Sequence, residues 1–154
     1  MEARIMIVYE SKYGNTKLVA ETIAGGLREV EGSEVVVSEL KEVDRNKIPN
    51  YDAILVGSPN HVGGLTWGIK KFIGKLGKLP LEGKSLAAFD TCLGISSGQA
   101  MKKMEKRIEE RVPGSKLLTP GLSIKVKGMR GPISEGKLPK CKEFGNKIAT
   151  QIKA

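Results

Sequence analysis

Short apolar runs of strand length alternate with polar turns and helically spaced stripes along the whole sequence, and that alternation limits the fold more than any other feature. Residues 4–9 (Arg-Ile-Met-Ile-Val-Tyr), 35–37 (Val-Val-Val), 52–57 (Asp-Ala-Ile-Leu-Val-Gly) and 85–89 (Ser-Leu-Ala-Ala-Phe) read as strands. A fifth, at Leu117-Leu118 and 122–126, is broken at Pro120-Gly121. Such runs lack the polar alternation of a half-exposed sheet, so they suit strands buried on both faces. Between them Leu18, Val19, Ile23, Leu27 and Val30 form one helical stripe, ended by Gly32. Leu65, Ile69, Phe72, Ile73 and Leu76 form a second, closed by Gly77 and Pro80. Met101, Met104 and Ile108 mark a third helix, which ends before Pro113-Gly114. Leu138, Cys141, Phe144, Ile148 and Ile152 mark a C-terminal one, and residues 44–50, with Pro49, read as a loop or short helical turn.

Strands joined by helices imply an α/β fold with a parallel sheet, because right-handed crossovers set the helices on both faces. Five strands suit the doubly wound order 2-1-3-4-5, a three-layer sandwich whose ligands sit beyond the carboxyl ends of the strands. The 154 residues are enough for one domain, 1–154, and too few for two of ordinary size.

No apolar run reaches membrane-spanning length. The chain begins Met-Glu-Ala-Arg and enters a strand at once, which leaves no room for a signal peptide, so a soluble, cytoplasmic protein is expected. Two cysteines, Cys92 and Cys141, and a single histidine, His61, do not make a structural zinc site or an iron–sulfur motif. A disulfide between the cysteines suits an oxidising compartment or a hyperthermophile, and nothing in the sequence requires one. Lys and Arg number 26 against 17 acidic residues, a net charge of +9. That charge favours polyanions or acidic protein surfaces as partners. Aromatic residues make up only 5% and the basic residues form no single block, which argues against nucleic acid.

The loops after strands one, three and four all open at the expected ligand edge. The first, Glu10-Ser11-Lys12-Tyr13-Gly14-Asn15-Thr16, joins a buried strand to a helix. It offers hydroxyl and amide donors, a glycine for close approach, and a helix N-terminus, which together suit a phosphate. The same residues also suit a plain turn with Asn15 or Thr16 as N-cap. No Gly-x-Gly-x-x-Gly follows the first strand, and residues 77–85 miss the P-loop pattern by one residue and precede a strand instead of following it.

The stretch Ile7-Val8-Tyr9-Glu10-Ser11-Lys12-Tyr13-Gly14-Asn15-Thr16-Lys17-Leu18-Val19-Ala20 resembles the flavodoxin signature. Its Ser-x-Tyr-Gly-Asn-Thr form is most similar to the flavodoxin domains of A-type flavoproteins and to flavodoxin-like quinone reductases. The resemblance implies FMN as cofactor, its phosphate held by Ser11, Lys12, Tyr13, Gly14, Asn15 and Thr16. It places the isoalloxazine between Ser58-Pro59-Asn60-His61-Val62-Gly63-Gly64 and Asp90-Thr91-Cys92-Leu93-Gly94. In the family a backbone group of the second loop bonds the flavin N5, for which Gly63 or Gly64 gives the peptide freedom. Residues 91–94 are the candidates for the pyrimidine edge.

The family usually stacks aromatic rings on the flavin. Here His61 stands where one ring is expected, and the third loop offers Cys92, Leu93 and Ile95. His61 suits stacking, proton donation or an exposed position without a role. Cys92 is expected to pack as a small hydrophobe. Trp67 is placed to reach the flavin, with core packing as the expectation, and Lys12 suits either a phosphate contact or a solvated charge.

The resemblance implies electron transfer between protein partners, here partners with an acidic docking face. The alternatives are an FMN-dependent oxidoreductase (a NAD(P)H:quinone reductase or a protoporphyrinogen-oxidase-like enzyme) and a flavin-free module that binds another anion or nucleic acid. No triad or paired-carboxylate site is present to supply independent catalysis.

Overall fold

In the computed structural model, which describes residues 2–60, 64–94, 97–128 and 130–153, the first apolar run becomes β1 (Ala3–Tyr9), the centre of the sheet. It pairs in parallel with β2 (Ser33–Glu39) on one side and with β3 (Ala53–Pro59) on the other. Next comes β4 (Ser85–Cys92), then β5 (Lys116–Leu117) and β6 (Leu122–Lys125), both parallel to β4. The order β2-β1-β3-β4-β5 is the one expected from the sequence, with β6 as a sixth strand bonded to β4.

β5 and β6 are one edge strand interrupted in the middle. Leu86 pairs with Leu117 and Phe89 with Leu122, so the outer chain uses two more residues than β4 over that step. Pro120 and Gly121 fall in the interruption, where a residue without an N–H is tolerated because the edge has no further neighbour. The Gly121 N–H is instead satisfied by Glu105 Oε2 at 2.8 Å.

Consecutive strand residues point to opposite faces, so each interior strand feeds two cores. Ile5, Ile7, Leu55 and Phe89 face α1 (Asn15–Arg28) and α4 (Leu138–Lys153). Met6, Val8, Ile54, Val56 and Leu86 face α2 (Trp67–Leu76) and α3 (Gln99–Arg111). Strand β4 is buried along its whole length, whereas the edge strand β2 is only partly covered. Short 3-10 segments at Leu40–Glu42 and Arg45–Asn50 bridge β2 and β3, in place of a full helix.

Two expectations are corrected. Residues 90–98 read as a loop, yet β4 runs on through Asp90, Thr91 and Cys92, because β3 and β6 pair with it on both sides there. The cap of α1 is neither Asn15 nor Thr16: Gly14 occupies it, and Asn15 already opens the helix. The thiols of Cys92 and Cys141 are free and both buried, and burial pushes the Cys141 thiol up to about 12. No helix among the described residues is long and apolar enough to cross a membrane.

α1 and α4 pack closely through glycines. A Cβ at Gly26 would run into the Lys142 carbonyl, and one at Gly145 into the Ile23 carbonyl. Beside this contact Glu29 takes Lys142 Nζ at 2.7 Å and Asn146 Nδ2 at 3.1 Å. These bonds hold its carboxyl below the usual range. At Gly25 a Cβ would meet nothing within 4 Å.

The two neighbouring glycines should therefore respond oppositely to alanine. Gly25→Ala should stabilise by about 0.5–1 kcal/mol through lower unfolded-state entropy. Gly26→Ala should cost about 1–3 kcal/mol through overpacking. Urea unfolding midpoints test this, and a shift of the same sign in both would contradict the described helix contact.

Candidate functional site

Parallel register makes the ends of β1, β3 and β4 level: Tyr9 lies beside Gly57, Ser58 beside Asp90 and Pro59 beside Thr91. The three loops singled out from the sequence therefore leave the sheet along one edge. The P-loop-like residues 77–85 lie before β4, at the opposite edge, where the Gly83 N–H bonds the Gly114 carbonyl.

In the first loop Gly14 sits at φ 91°, ψ −5°, a left-handed conformation natural to glycine. It turns the chain straight from the loop into α1. Ser11 Oγ closes the turn by accepting the Gly14 N–H at 3.0 Å, and the Leu18 N–H returns to the Gly14 carbonyl at 3.0 Å. Among the described residues no side chain caps α1, and its first turn carries no acidic residue. The N–H groups of Asn15, Thr16 and Lys17 belong to the helix end that has no intrahelical acceptor, and the helix dipole adds positive potential there. A Cβ on Gly14 would meet nothing within 4 Å, so space is open beside the turn.

The start of α3, at the same edge, is treated differently. Its cap residue, Gly98, supplies no side chain, but Asn60 Oδ1 accepts the Ala100 N–H at 2.9 Å and Asp90 Oδ2 accepts the Met101 N–H at 2.8 Å. Ser123 Oγ accepts the Gly98 N–H at 2.9 Å and donates to Asp90 Oδ1 at 2.5 Å. Groups from β4, β6 and the residue after β3 thus occupy, at α3, the kind of donors that α1 leaves open.

The same groups tie the loops together. The Asn60 N–H and Nδ2 both donate to the Thr91 carbonyl, at 3.1 and 2.8 Å. Ser58 Oγ accepts the Thr66 N–H at 3.0 Å, pinning the second loop at its base. Thr16 is buried, and its hydroxyl pairs with that of Thr91 at 3.0 Å, linking the first loop to β4.

Of the other expected site residues, Cys92 is buried as anticipated, with Sγ 3.3 Å from Ser123 Oγ. Leu93 is 39% exposed, and a Cβ on Gly94 would lie 3.4 Å from Lys125 Nζ. His61, Val62, Gly63 and Ile95 lie outside the described residues. Trp67 corrects the sequence reading: it is 71% exposed at the start of α2, with Lys70 Nζ 5.7 Å from its ring. The apolar stripe of α2 is carried by Ile69, Phe72, Ile73 and Leu76, which leaves Trp67 outside that face.

One segment was not picked out from the sequence at all. After β6 the chain doubles back, with Val126 bridged to Ile133 and the Lys127 N–H bonded to the Pro132 carbonyl at 2.9 Å. This hairpin brings Arg130 Cζ to 5.5 Å from the Tyr13 ring and sets Gly131 against the Asn15 side chain. Glycines and a proline between residues 128 and 132 signal a turn, but not which loop it folds against.

Burial pushes the Asp90 carboxyl above its ordinary range, against the pull of Ser123, the Met101 N–H and Asn60. A carboxyl raised on folding takes up protons before the unfolded chain does, so its contribution is full at low pH and is lost as pH rises past about 3.9. Asp90→Asn, which does not ionise, should therefore gain stability relative to the parent as pH rises from about 3 to about 7. Urea unfolding of both chains across that range checks the sign; a variant that loses stability relative to the parent as pH rises would contradict it.

Comparison with known proteins agrees with the fold. The sequence pattern of the flavodoxin domain family matches residues 6–125. The chain is 30% identical to a flavodoxin of Clostridium saccharobutylicum, over 97% of this chain and 98% of that one. Among solved structures it resembles a flavodoxin from the domain Archaea, with a TM-score of 0.84 and 28% identity over 98% of this chain and 99% of that one. It also resembles Flavodoxin 2 from Bacillus cereus, with a TM-score of 0.80 and 31% identity over 99% and 100%. Taken with the strand order and the glycine turn into α1, these likenesses make the chain a member of the flavodoxin family.

Proposed function

We propose that this flavodoxin binds FMN at the level ends of β1, β3 and β4, as a single domain, and carries electrons between redox partners. The observation that carries the site assignment is the contrast between two helix ends at one edge: α3 is capped by neighbouring side chains and α1 is not. An uncapped helix start behind an open glycine turn fits a phosphate dianion.

In this reading Ser11, Lys12, Tyr13, Gly14, Asn15 and Thr16 surround the phosphate, chiefly through backbone N–H groups and the dipole of α1. The ring lies between the second loop (Ser58, Pro59, Asn60, His61, Val62, Gly63) and the third (Asp90, Thr91, Cys92, Leu93, Gly94). Since the Asp90 and Cys92 side chains are buried, their share of the site is backbone and support. FMN, when bound, supplies the electron chemistry. The chain's own part is to orient the ring, through loops fixed at Thr91 by Asn60 and Thr16.

The net charge of +9 supports a partner with an acidic docking face, since opposite fields speed encounter. Electron transfer with the physiological partner should therefore slow as ionic strength rises toward about 0.5 M, because screening shortens the reach of exposed charges. Stopped-flow reduction at several salt concentrations measures this; rates independent of salt would contradict an acidic partner.

Anaerobic reduction of the FMN-loaded protein in small steps tests the carrier reading itself. Accumulation of a one-electron stage in the visible spectrum is expected. Rapid reduction by NADPH alone, straight to the two-electron form, would favour an oxidoreductase instead.

A further inference from the structure

The hairpin after β6 lies beyond residues 6–125, the part of the chain that matches the family pattern. It is built to stay in place: Val126 bridges Ile133, the Lys127 N–H bonds the Pro132 carbonyl at 2.9 Å, and the Ser134 N–H bonds the Lys125 carbonyl at 2.9 Å. Val126 is buried at its base, and Gly131, at φ 93°, leaves no room for a Cβ against the Asn15 amide. Gly131 therefore packs against the first turn of α1.

That packing carries a charge to the open helix end. Arg130 Cζ is 5.5 Å from the centre of the Tyr13 ring, and Lys12 Nζ is 5.4 Å from the same ring. A guanidinium over an aromatic face keeps its N–H groups free at its edge for a second, anionic partner. None of the ion pairs among the described residues involves Arg130 or Lys12, while Lys127, in the same hairpin, is paired with Glu135 at 3.4 Å. Two cations, Lys12 within the loop and Arg130 beside it, thus lie near the Tyr13 ring ahead of the first N–H groups of α1, with no acid in the first helical turn to neutralise them.

We propose that Arg130 completes the phosphate subsite. The hairpin lays its guanidinium over Tyr13 so that the FMN phosphate meets a side-chain cation as well as the helix end. The inference rests on the phosphate-loop reading given above and extends it to a residue outside the matched pattern. Arg130 is exposed, and replacing it removes no core contact.

The test is a thermodynamic cycle between two ligands and two proteins. Apoprotein is titrated with FMN and with riboflavin, which has the same ring and no phosphate, for the parent chain and for Arg130→Ala, at low salt. Arg130→Ala should weaken FMN about fivefold, the size expected of one partly solvated charge-assisted pair, and change riboflavin less than twofold. Arg130→Lys should recover part of the loss. A purely structural hairpin would lower both affinities by the same factor, and that result, or no change in either, would overturn the proposal. If the parent chain itself binds FMN and riboflavin equally, the phosphate-loop reading fails and this inference falls with it. A parent that prefers FMN, with an unchanged preference in Arg130→Ala, overturns only the role of Arg130.

Discussion

Parallel pairing on both sides of β1 governs everything that happens at the ligand edge. Because β1 bonds β2 on one flank and β3 on the other, the crossover from β1 to β2 through α1 and that from β3 to β4 through α2 run in opposite directions along the sheet and so lie on opposite faces. The register holds the ends of β1, β3 and β4 level, so three loops from distant parts of the sequence meet above one edge. The two apolar cores enforce this register, since a slip of one residue would send Ile5, Ile7 and Leu55 to the wrong face. The site is thus a consequence of core packing, and its precision is that of the sheet.

On that platform the chain makes two unlike uses of helix N-termini. At α3, Asn60, Asp90 and Ser123 satisfy the donors, and the third loop is fastened at both ends as a result. At α1 the cap is a glycine, Ser11 bonds the Gly14 N–H, and space is open beside the Gly14 turn. Burying Asp90 has an electrostatic cost, visible in its raised pKa, and its three donors offset it. The cost is coherent if the gain is a rigid gap between the second and third loops.

Much of this was readable in the sequence. Apolar runs at residues 4–9, 52–57 and 85–89 gave the interior strands, and the helical stripes gave all four helices to within a few residues. Legibility came from periodicity, which burial imposes on every interior element. The first loop was readable as well, because a Ser-x-Tyr-Gly-Asn-Thr string between strand and helix is chemically distinctive. What was not readable depended on long-range pairing. Asp90 is polar and looked like loop, yet it sits in β4 and works as a cap for a helix that begins nine residues later. Trp67 looked like core because large aromatics usually are, and the helix phase that exposes it is set by Ile69, Phe72 and Ile73. The approach of Arg130 to Tyr13 depends on the fold of a glycine-rich turn, about which local sequence says only that it turns.

The most direct measurement follows the backbone amides of α1's first turn by nitrogen–proton NMR as the apoprotein is titrated with FMN and, separately, with riboflavin. If the uncapped helix end holds the phosphate, the amides of Asn15, Thr16 and Lys17 shift strongly with FMN and little with riboflavin, while those near Thr91 respond to both. FMN that binds while these three amides stay unmoved would place the phosphate elsewhere and contradict the assignment of the site.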